Sequence, residues 1–303
     1  MPLLPSRVSL VEVGPRDGLQ NEAALLPTEL KVELVDRLSR CGFAGIEVTS
    51  FVSPRWVPQM ADGAQVMARI ARQPGVRYSV LVPNLKGLEA ALPTRPDEIV
   101  VFAAASEAFS QKNINCSIAE SIERFAPVCA QALAQGIAVR GSISCALGCP
   151  YQGEVKPEAV RDVAQRLKAI GVAHVGVADT IGTGTPRAVQ AAMEAALGVF
   201  ELAQVSGHFH DTYGQALANV YACPELGVAC FDASVAGLGG CPYARGATGN
   251  VASEDVLYLL RGLDIETGVD LDRVVETGQW ISAQLGRKAQ TRAGNALTGL
   301  DRP

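Results

Sequence analysis

Hydrophobic and polar positions along the 303 residues fall into two alternating patterns. Short runs rich in β-branched residues and bounded by turn formers predict eight strands, at 8–13, 44–50, 76–82, 98–104, 137–144, 173–179, 204–210 and 230–237. Between them, apolar positions recur at helical spacing. After Lys156, Pro157 suits a first helical position, Val160, Val163, Leu167 and Ile170 make one face, and Gly171 suits the stop. Thr185 followed by Pro186 opens a further helix in the same way. Eight strand–helix units predict an α/β fold, a (β/α)8 barrel with additional C-terminal helices. The expectation is one catalytic domain over residues 1–303, with an appended helical segment from about residue 251 onward. An open doubly wound sheet is the competing fold, but the glycine fingerprint it carries after its first strand is missing.

Composition narrows the partners. A chain of this length with 48% hydrophobic residues can bury one large core. No uninterrupted apolar run approaches the ~20 residues of a membrane span. The amino terminus "MPLLPSRVSLVEV" passes into strand-like alternation without a charged and then apolar leader, so a cytoplasmic location is expected. The formal net charge is −5 with both signs mixed, which leaves no basic stripe for nucleic acid and no polybasic patch for a membrane. Most of the eight cysteines sit in apolar contexts such as "SRCGF", "PVCAQ" and "GVACFD", where a thiol behaves as a small buried hydrophobe. Cys145 and Cys149 in "SCALGCP" lack the paired short spacing of a zinc ribbon, and a disulfide framework is foreign to a large intracellular chain.

A barrel keeps its chemistry at the carboxyl ends of its strands, so the residues there are the candidates. The first strand runs into "GPRDGLQ", which places Arg16 and Asp17 at the mouth; an adjacent Arg and Asp in a turn is also an ordinary solvated pair. Glu47 lies on the opposite pleat face from Ile46 and Val48. If that face is the barrel interior, the carboxylate needs a cation, and Arg16 on the neighbouring strand is available; the plain alternative is a barrel-lining ion pair. In "SGHFHDTYGQ", His208 and His210 are two of three histidines and point to one face of a strand, so both imidazoles can converge on one ion or simply fill the barrel. His174 has no such companion and reads as structural. Asp17 adds a carboxylate oxygen and Asn250 a carboxamide oxygen, a mixed nitrogen and oxygen shell that suits Mg2+ or Mn2+. Four such ligands leave about two positions of an octahedron for a substrate with neighbouring oxygens. Cys241 sits among glycines in "VAGLGGCPYARGATGN"; a tight turn with a buried thiol is the alternative to a reactive one.

Several stretches together resemble the 3-hydroxy-3-methylglutaryl-CoA lyase family of metal-dependent TIM-barrel lyases. They are "VEVGPRDGLQNE", "EVTSFVSPRWVPQMAD", "FAAASEAFSQKNINCSI", "SCALGCPYQG", "ADTIGTGTP", "HFHDTYGQALAN" and "SVAGLGGCPYARGATGNVASEDVLYLL", spread from about Ser9 to Leu260. The resemblance implies metal ligation by Asp17, His208, His210 and Asn250, enolate stabilisation by Arg16, support of Arg16 by Glu47, and acid or base catalysis by Cys241. It also implies an acyl-CoA substrate, cleavage to acetyl-CoA and acetoacetate in leucine degradation, and a homo-oligomer, a dimer. A mobile loop around Gly237, Gly239 and Gly240 is expected to bring Cys241 to the reacting carbon.

Departures from the family pattern are few. Ala23 stands where a lysine is common, Phe209 stands where a cysteine often separates the two histidines, and "GRKAQTRAGNALTGLDRP" ends without a terminal cysteine or peroxisomal tripeptide. Two relatives of the activity stay open: a lyase for a longer-branched 3-hydroxyglutaryl-CoA, which keeps every catalytic residue, and a Claisen synthase, which normally carries a longer chain.

Overall fold

The computed structural model describes residues 4–240 and 248–299. Eight parallel strands close into a barrel in sequence order. They are β1 (Ser9–Glu12), β2 (Gly45–Ser50), β3 (Arg77–Leu81), β4 (Glu98–Ala104), β5 (Ala138–Ser144), β6 (His174–Asp179), β7 (Val205–Phe209) and β8 (Cys230–Ala233). All eight predicted strands are present and the (β/α)8 barrel is borne out. The largest difference is at β8, expected to run to residue 237. It stops at Ala233 because Val235–Gly237 form a tight turn in which Ala236 takes a left-handed φ of 56°.

Helices follow each strand: Thr28–Ser39, Gly63–Arg69, Leu85–Ala91, the pair Glu107–Ile114 and Ile118–Ala134, Pro157–Ala169, Pro186–Leu197, Ala216–Ala222 and Ser253–Gly262. The helix after Lys156 has the predicted ends, with Pro157 first and Gly171 just beyond it at φ 92°. Pro186 opens its helix as expected, although the Thr185 side chain makes no cap hydrogen bond, so the fixed proline φ carries that start. Ser253–Gly262 follows β8 and packs beside Ala216–Ala222 as the eighth barrel helix. The segment beyond the barrel therefore begins with Leu271–Gln284, later than residue 251, and ends in Arg292–Gly299. No helix among the described residues is long and apolar enough to cross a membrane.

Strand alternation separates two environments. Leu10, Ile46, Ile99, Ile143, Val177, Phe209 and Phe231 are fully buried in the continuous core shared with helix residues such as Leu34, Val128, Leu167 and Val220. Each such side chain contributes about 1.5–3 kcal/mol on burial, so this outer layer stabilises the fold and the inner face is free to hold polar groups. Glu47, Glu98, Arg140, Ser206, His208 and Asp232 come from strand positions of the opposite parity. A register shift between Glu47 and Thr49 where β2 meets β3 bends the strand just beyond Glu47.

Candidate active site

The first functional pair is placed by a single wound turn, Gly14–Gly18, directly after β1. The backbone N–H groups of Arg16, Asp17 and Gly18 all bond the Val13 carbonyl, at 3.2, 2.8 and 3.1 Å. Gly18 is required by close approach, since a Cβ there would lie 2.7 Å from the Leu238 Cβ. The turn faces Arg16 into the barrel mouth. Its Nη1 donates to Asp17 Oδ1 at 2.7 Å and its Nη2 to Glu47 Oε2 at 2.8 Å. Glu47 therefore does point inward, and Arg16 is the cation it meets. Arg16 Nε and Glu47 Oε1 are buried without a hydrogen-bond partner, unlike the atoms that form the pair.

On β7 the two histidines converge as their spacing predicts. His208 Nε2 and His210 Nε2 are 3.3 Å apart, and Asp17 Oδ2 lies 3.7 Å from the first and 3.9 Å from the second. These are the described His, Cys, Asp and Glu side chains grouped closely enough to hold a metal ion. Ligands about 2.1 Å from an octahedral ion stand roughly 3 Å from one another, so the three separations have to shorten by roughly 0.3 to 0.9 Å. Its donor set of two imidazole nitrogens and one carboxylate oxygen, free of thiolate, fits a divalent cation.

Asn250 is brought to the same place through an antiparallel bridge with His210. Here one detail differs from the sequence reading. The atom facing Asp17 is Nδ2, which donates to Asp17 Oδ2 at 2.8 Å and to the Leu238 carbonyl at 3.3 Å. Ligation through Oδ1 requires the amide to turn over. Cys241 lies outside the described residues, but the stem of its loop is described, closed by a bridge between Gly240 and Thr248. Gly237 is no open hinge: it sits buried at φ 58°, with its N–H bonded to Ser234 and the Gln290 carbonyl 2.9 Å from where a Cβ would be.

Charge in the cluster is set by its neighbours. Burial works against the Asp17 carboxylate, yet Arg16, His208, His210 and the Asn250 bond overcome it and hold Asp17 well below the usual carboxylate range. Arg16 is driven up by Glu47 and Asp17 against its own burial. The two imidazoles diverge. Burial and the neighbouring His208 push His210 down to about 4, so it is neutral at pH 7. Burial also disfavours charge on His208, but Asp232 and Asp17 reverse that and raise it.

Two buried acids of this region stand outside the set read from the sequence. Asp232 Oδ2 lies 3.1 Å from His208 Nδ1 across the β7–β8 ladder. Asp179 at the end of β6 accepts from the N–H groups of Thr183 and Gly184, at 3.1 and 2.8 Å, and burial pushes it up to about 6. The available signal for Asp232 was an acid at an inward position between Phe231 and Ala233. For Asp179 it was the strand end in "ADTIGTG". His174 opens β6, and burial holds it neutral near 4, in line with a structural role. Cys41, Cys116, Cys129, Cys149, Cys223 and Cys230 are free thiols.

Fold and cluster together define a (β/α)8 barrel with a candidate divalent-cation centre at the carboxyl ends of its strands, where barrel enzymes carry their chemistry. The chain belongs to the HMGL-like family, which matches residues 7–281. It is 58% identical over 294 residues to the 3-hydroxy-3-isohexenylglutaryl-CoA/hydroxy-methylglutaryl-CoA lyase of Pseudomonas aeruginosa, a match that covers 97% of this chain and 98% of that one. It is 51% identical over 300 residues to the mitochondrial hydroxymethylglutaryl-CoA lyase of Rattus norvegicus, covering 99% and 92%. The crystal structure of hydroxymethylglutaryl-CoA lyase from Pseudomonas aeruginosa superposes with a TM-score of 0.95 at 58% identity, over 97% of this chain and 98% of that one. The family resemblance carried by the sequence motifs is borne out.

Proposed function

We propose that this protein is a cytoplasmic, dimeric lyase that cleaves (S)-3-hydroxy-3-methylglutaryl-CoA to acetyl-CoA and acetoacetate in leucine degradation, with Mg2+ or Mn2+ as cofactor. The observation that carries this reading is the use of one carboxylate for two purposes. Asp17 gives Oδ1 to Arg16, while its Oδ2 faces both imidazoles and Asn250. Cation and candidate metal ligands are thus locked at a fixed separation. Asp17, His208, His210 and, after its amide turns, Asn250 would hold the ion, which when bound supplies a Lewis acid that acidifies the tertiary hydroxyl.

The chain's own residues account for the rest. As the hydroxyl proton passes to the Cys241 thiolate and the carbon–carbon bond breaks, negative charge moves onto the thioester oxygen. Arg16 meets that charge, and Glu47 and Asp17 keep its guanidinium from swinging away. The proton then has to reach the enolate carbon of the departing acetyl-CoA. We assign that delivery to the Cys241 thiol, whose reference pKa of ~8.5 lies close enough to neutrality for it to give and take a proton.

A second reading is favoured by one finding: the Pseudomonas aeruginosa relative is named for a longer-branched substrate as well. Product analysis decides between them. With 3-hydroxy-3-methylglutaryl-CoA, acetyl-CoA and acetoacetate should form in equal amounts, chelation should abolish their formation, and added Mg2+ or Mn2+ should restore it. Preference for 3-hydroxy-3-isohexenylglutaryl-CoA would select the second reading, and turnover undiminished after rigorous metal removal would end the metal assignment.

A further inference from the structure

We propose that Asp232 is the positioning residue of this centre: it fixes His208 in the ring form that presents Nε2 to the metal ion, and Arg140 fixes Asp232. The inference rests on the metal reading above and concerns residues that it leaves unassigned. His208 and Asp232 are direct register partners on β7 and β8 and share the inner face of the barrel. Asp232 uses its two oxygens on two different donors. Oδ2 lies 3.1 Å from His208 Nδ1, and Oδ1 takes a 2.6 Å bond from Arg140 Nη2, which also reaches Ser206 Oγ at 2.9 Å. Three strands, β5, β7 and β8, are thereby tied at one level beneath the cluster.

The chemistry of the pair dictates the ring form. An ionised carboxylate only accepts, so the nitrogen facing it has to carry a proton. A neutral imidazole carries one proton, and placing it on Nδ1 leaves the Nε2 lone pair aimed at Asp17 and His210. The opposite tautomer would set a lone pair against a carboxylate oxygen and turn an N–H toward the place a cation needs. Arg140 is what keeps the carboxylate ionised and in place, since Asp232 lies almost wholly inside the barrel and an unpaired buried carboxylate is costly.

The second histidine shows what the network adds. His210 Nδ1 is buried and has no hydrogen-bond partner. On that side the ring has no side-chain support, and its residue is held by the bridge to Asn250 and a 3.4 Å bond from its N–H to the Asp179 carbonyl. The centre therefore has one histidine with a carboxylate behind its Nδ1 and one without. Outer carboxylates of this kind orient metal-bound histidines and typically change metal affinity or activity by about 10- to 100-fold.

Two measurements on the full chain test this. Only three histidines are present, so 15N spectra of the imidazoles can be assigned by single substitution. In metal-free protein at a pH where the rings are neutral, His208 should carry its proton on Nδ1, against the Nε2 preference of an imidazole free in water. Asp232→Leu combined with Arg140→Met removes both charges together, and the buried Glu98 carboxylate keeps Arg77 at 3.6 Å. This variant should fold, revert His208 toward the Nε2–H form, and bind Mn2+ about 10- to 100-fold more weakly by calorimetry. An Nε2–H ring in the wild type, or variant Mn2+ affinity within twofold of wild type, overturns the role of Asp232 and leaves the metal reading standing. Absence of Mn2+ binding by the wild type itself overturns both.

Discussion

Carboxylates are buried in two regions of this molecule, and they are held in opposite ways. Inside the barrel mouth, Asp17 and Glu47 share Arg16, and Asp232 is paired with Arg140. Between the barrel wall and the C-terminal helices, Glu12 and Glu254 meet no arginine among the described residues. Glu12 accepts from the N–H groups of Gly14 and Val235, at 2.8 and 2.9 Å, and from Ser253 Oγ at 2.6 Å. Glu254 accepts from the Ala236 N–H with both oxygens at 3.0 Å. Burial opposes ionisation in both places. In the first, the cations prevail, keeping Asp17 far below its ordinary value and Asp232 at about 2; in the second, burial prevails, and Glu12 rises to about 7 and Glu254 to about 8. The difference teaches what each acid is for. The paired acids keep permanent charge inside the barrel mouth. The unpaired acids fasten backbone, Glu12 joining the turn that carries Arg16 and Asp17 to the turn after β8, and Glu254 holding Ala236 in its left-handed conformation.

The sharpest way to break the comparison is to neutralise the acid at its centre. Asp17→Asn keeps the shape and an acceptor oxygen but removes the charge that both imidazoles and Arg16 face. Mn2+ affinity should fall by more than the ~10- to 100-fold typical of losing an outer partner, and turnover should be abolished at ordinary metal concentrations. Calorimetric titration beside a product assay reads both, and wild-type affinity in the variant would remove Asp17 from the ligand set. Arg16→Gln comes next in size. Because its charge matters chiefly as the enolate forms, kcat should drop by roughly 10²- to 10³-fold with a smaller change in KM. A raised KM at near-normal kcat would make Arg16 a ground-state binding group instead.

The two regions were also unequally legible in the sequence. The mouth is readable because its residues sit at strand ends and in period-two spacing: His208 and His210 share a face by count alone, and the turn after β1 puts Arg16 within reach of Glu47 on the next strand. Asp232 escaped although its strand was predicted. Its cation arrives from β5, three strands away around the barrel, and only closure of the ladder brings Arg140 across to it. The rear region was nearly silent. "VAG" at 235–237 continues a strand pattern, and nothing local marks Ala236 for a left-handed turn; the cause is Glu254, eighteen residues on, together with the Gln290 N–H bonded to the Ala236 carbonyl. Similarly, Gly237 reads as a hinge when taken alone. In the folded chain it is the one residue type that fits against the Gln290 carbonyl.

The smallest expected effect, and the one that tests the rear region directly, is Glu254→Gln. Glutamine keeps an acceptor for the Ala236 N–H and has nearly the same size, which matters because a Cβ on Gly278 would already lie 2.3 Å from Glu254 Oε1. The sign of the pH effect follows from the raised value. Folded Glu254 keeps its proton up to about 8, whereas the unfolded chain releases it near 4.5. Its contribution to stability is therefore complete below about 4.5 and is lost as pH rises through about 8, with Glu12 adding a parallel loss between 4.5 and about 7. Between pH 5 and pH 8.5 the wild type should lose more stability than Glu254→Gln, by an amount on the order of a few kcal/mol, since every tenfold difference in proton affinity between the folded and unfolded chain is worth about 1.4 kcal/mol. Scanning calorimetry across that range should show Tm of the variant falling less steeply than that of the wild type. Parallel profiles would mean that folded Glu254 is ionised, and that the contrast between paired and unpaired acids does not extend to this site.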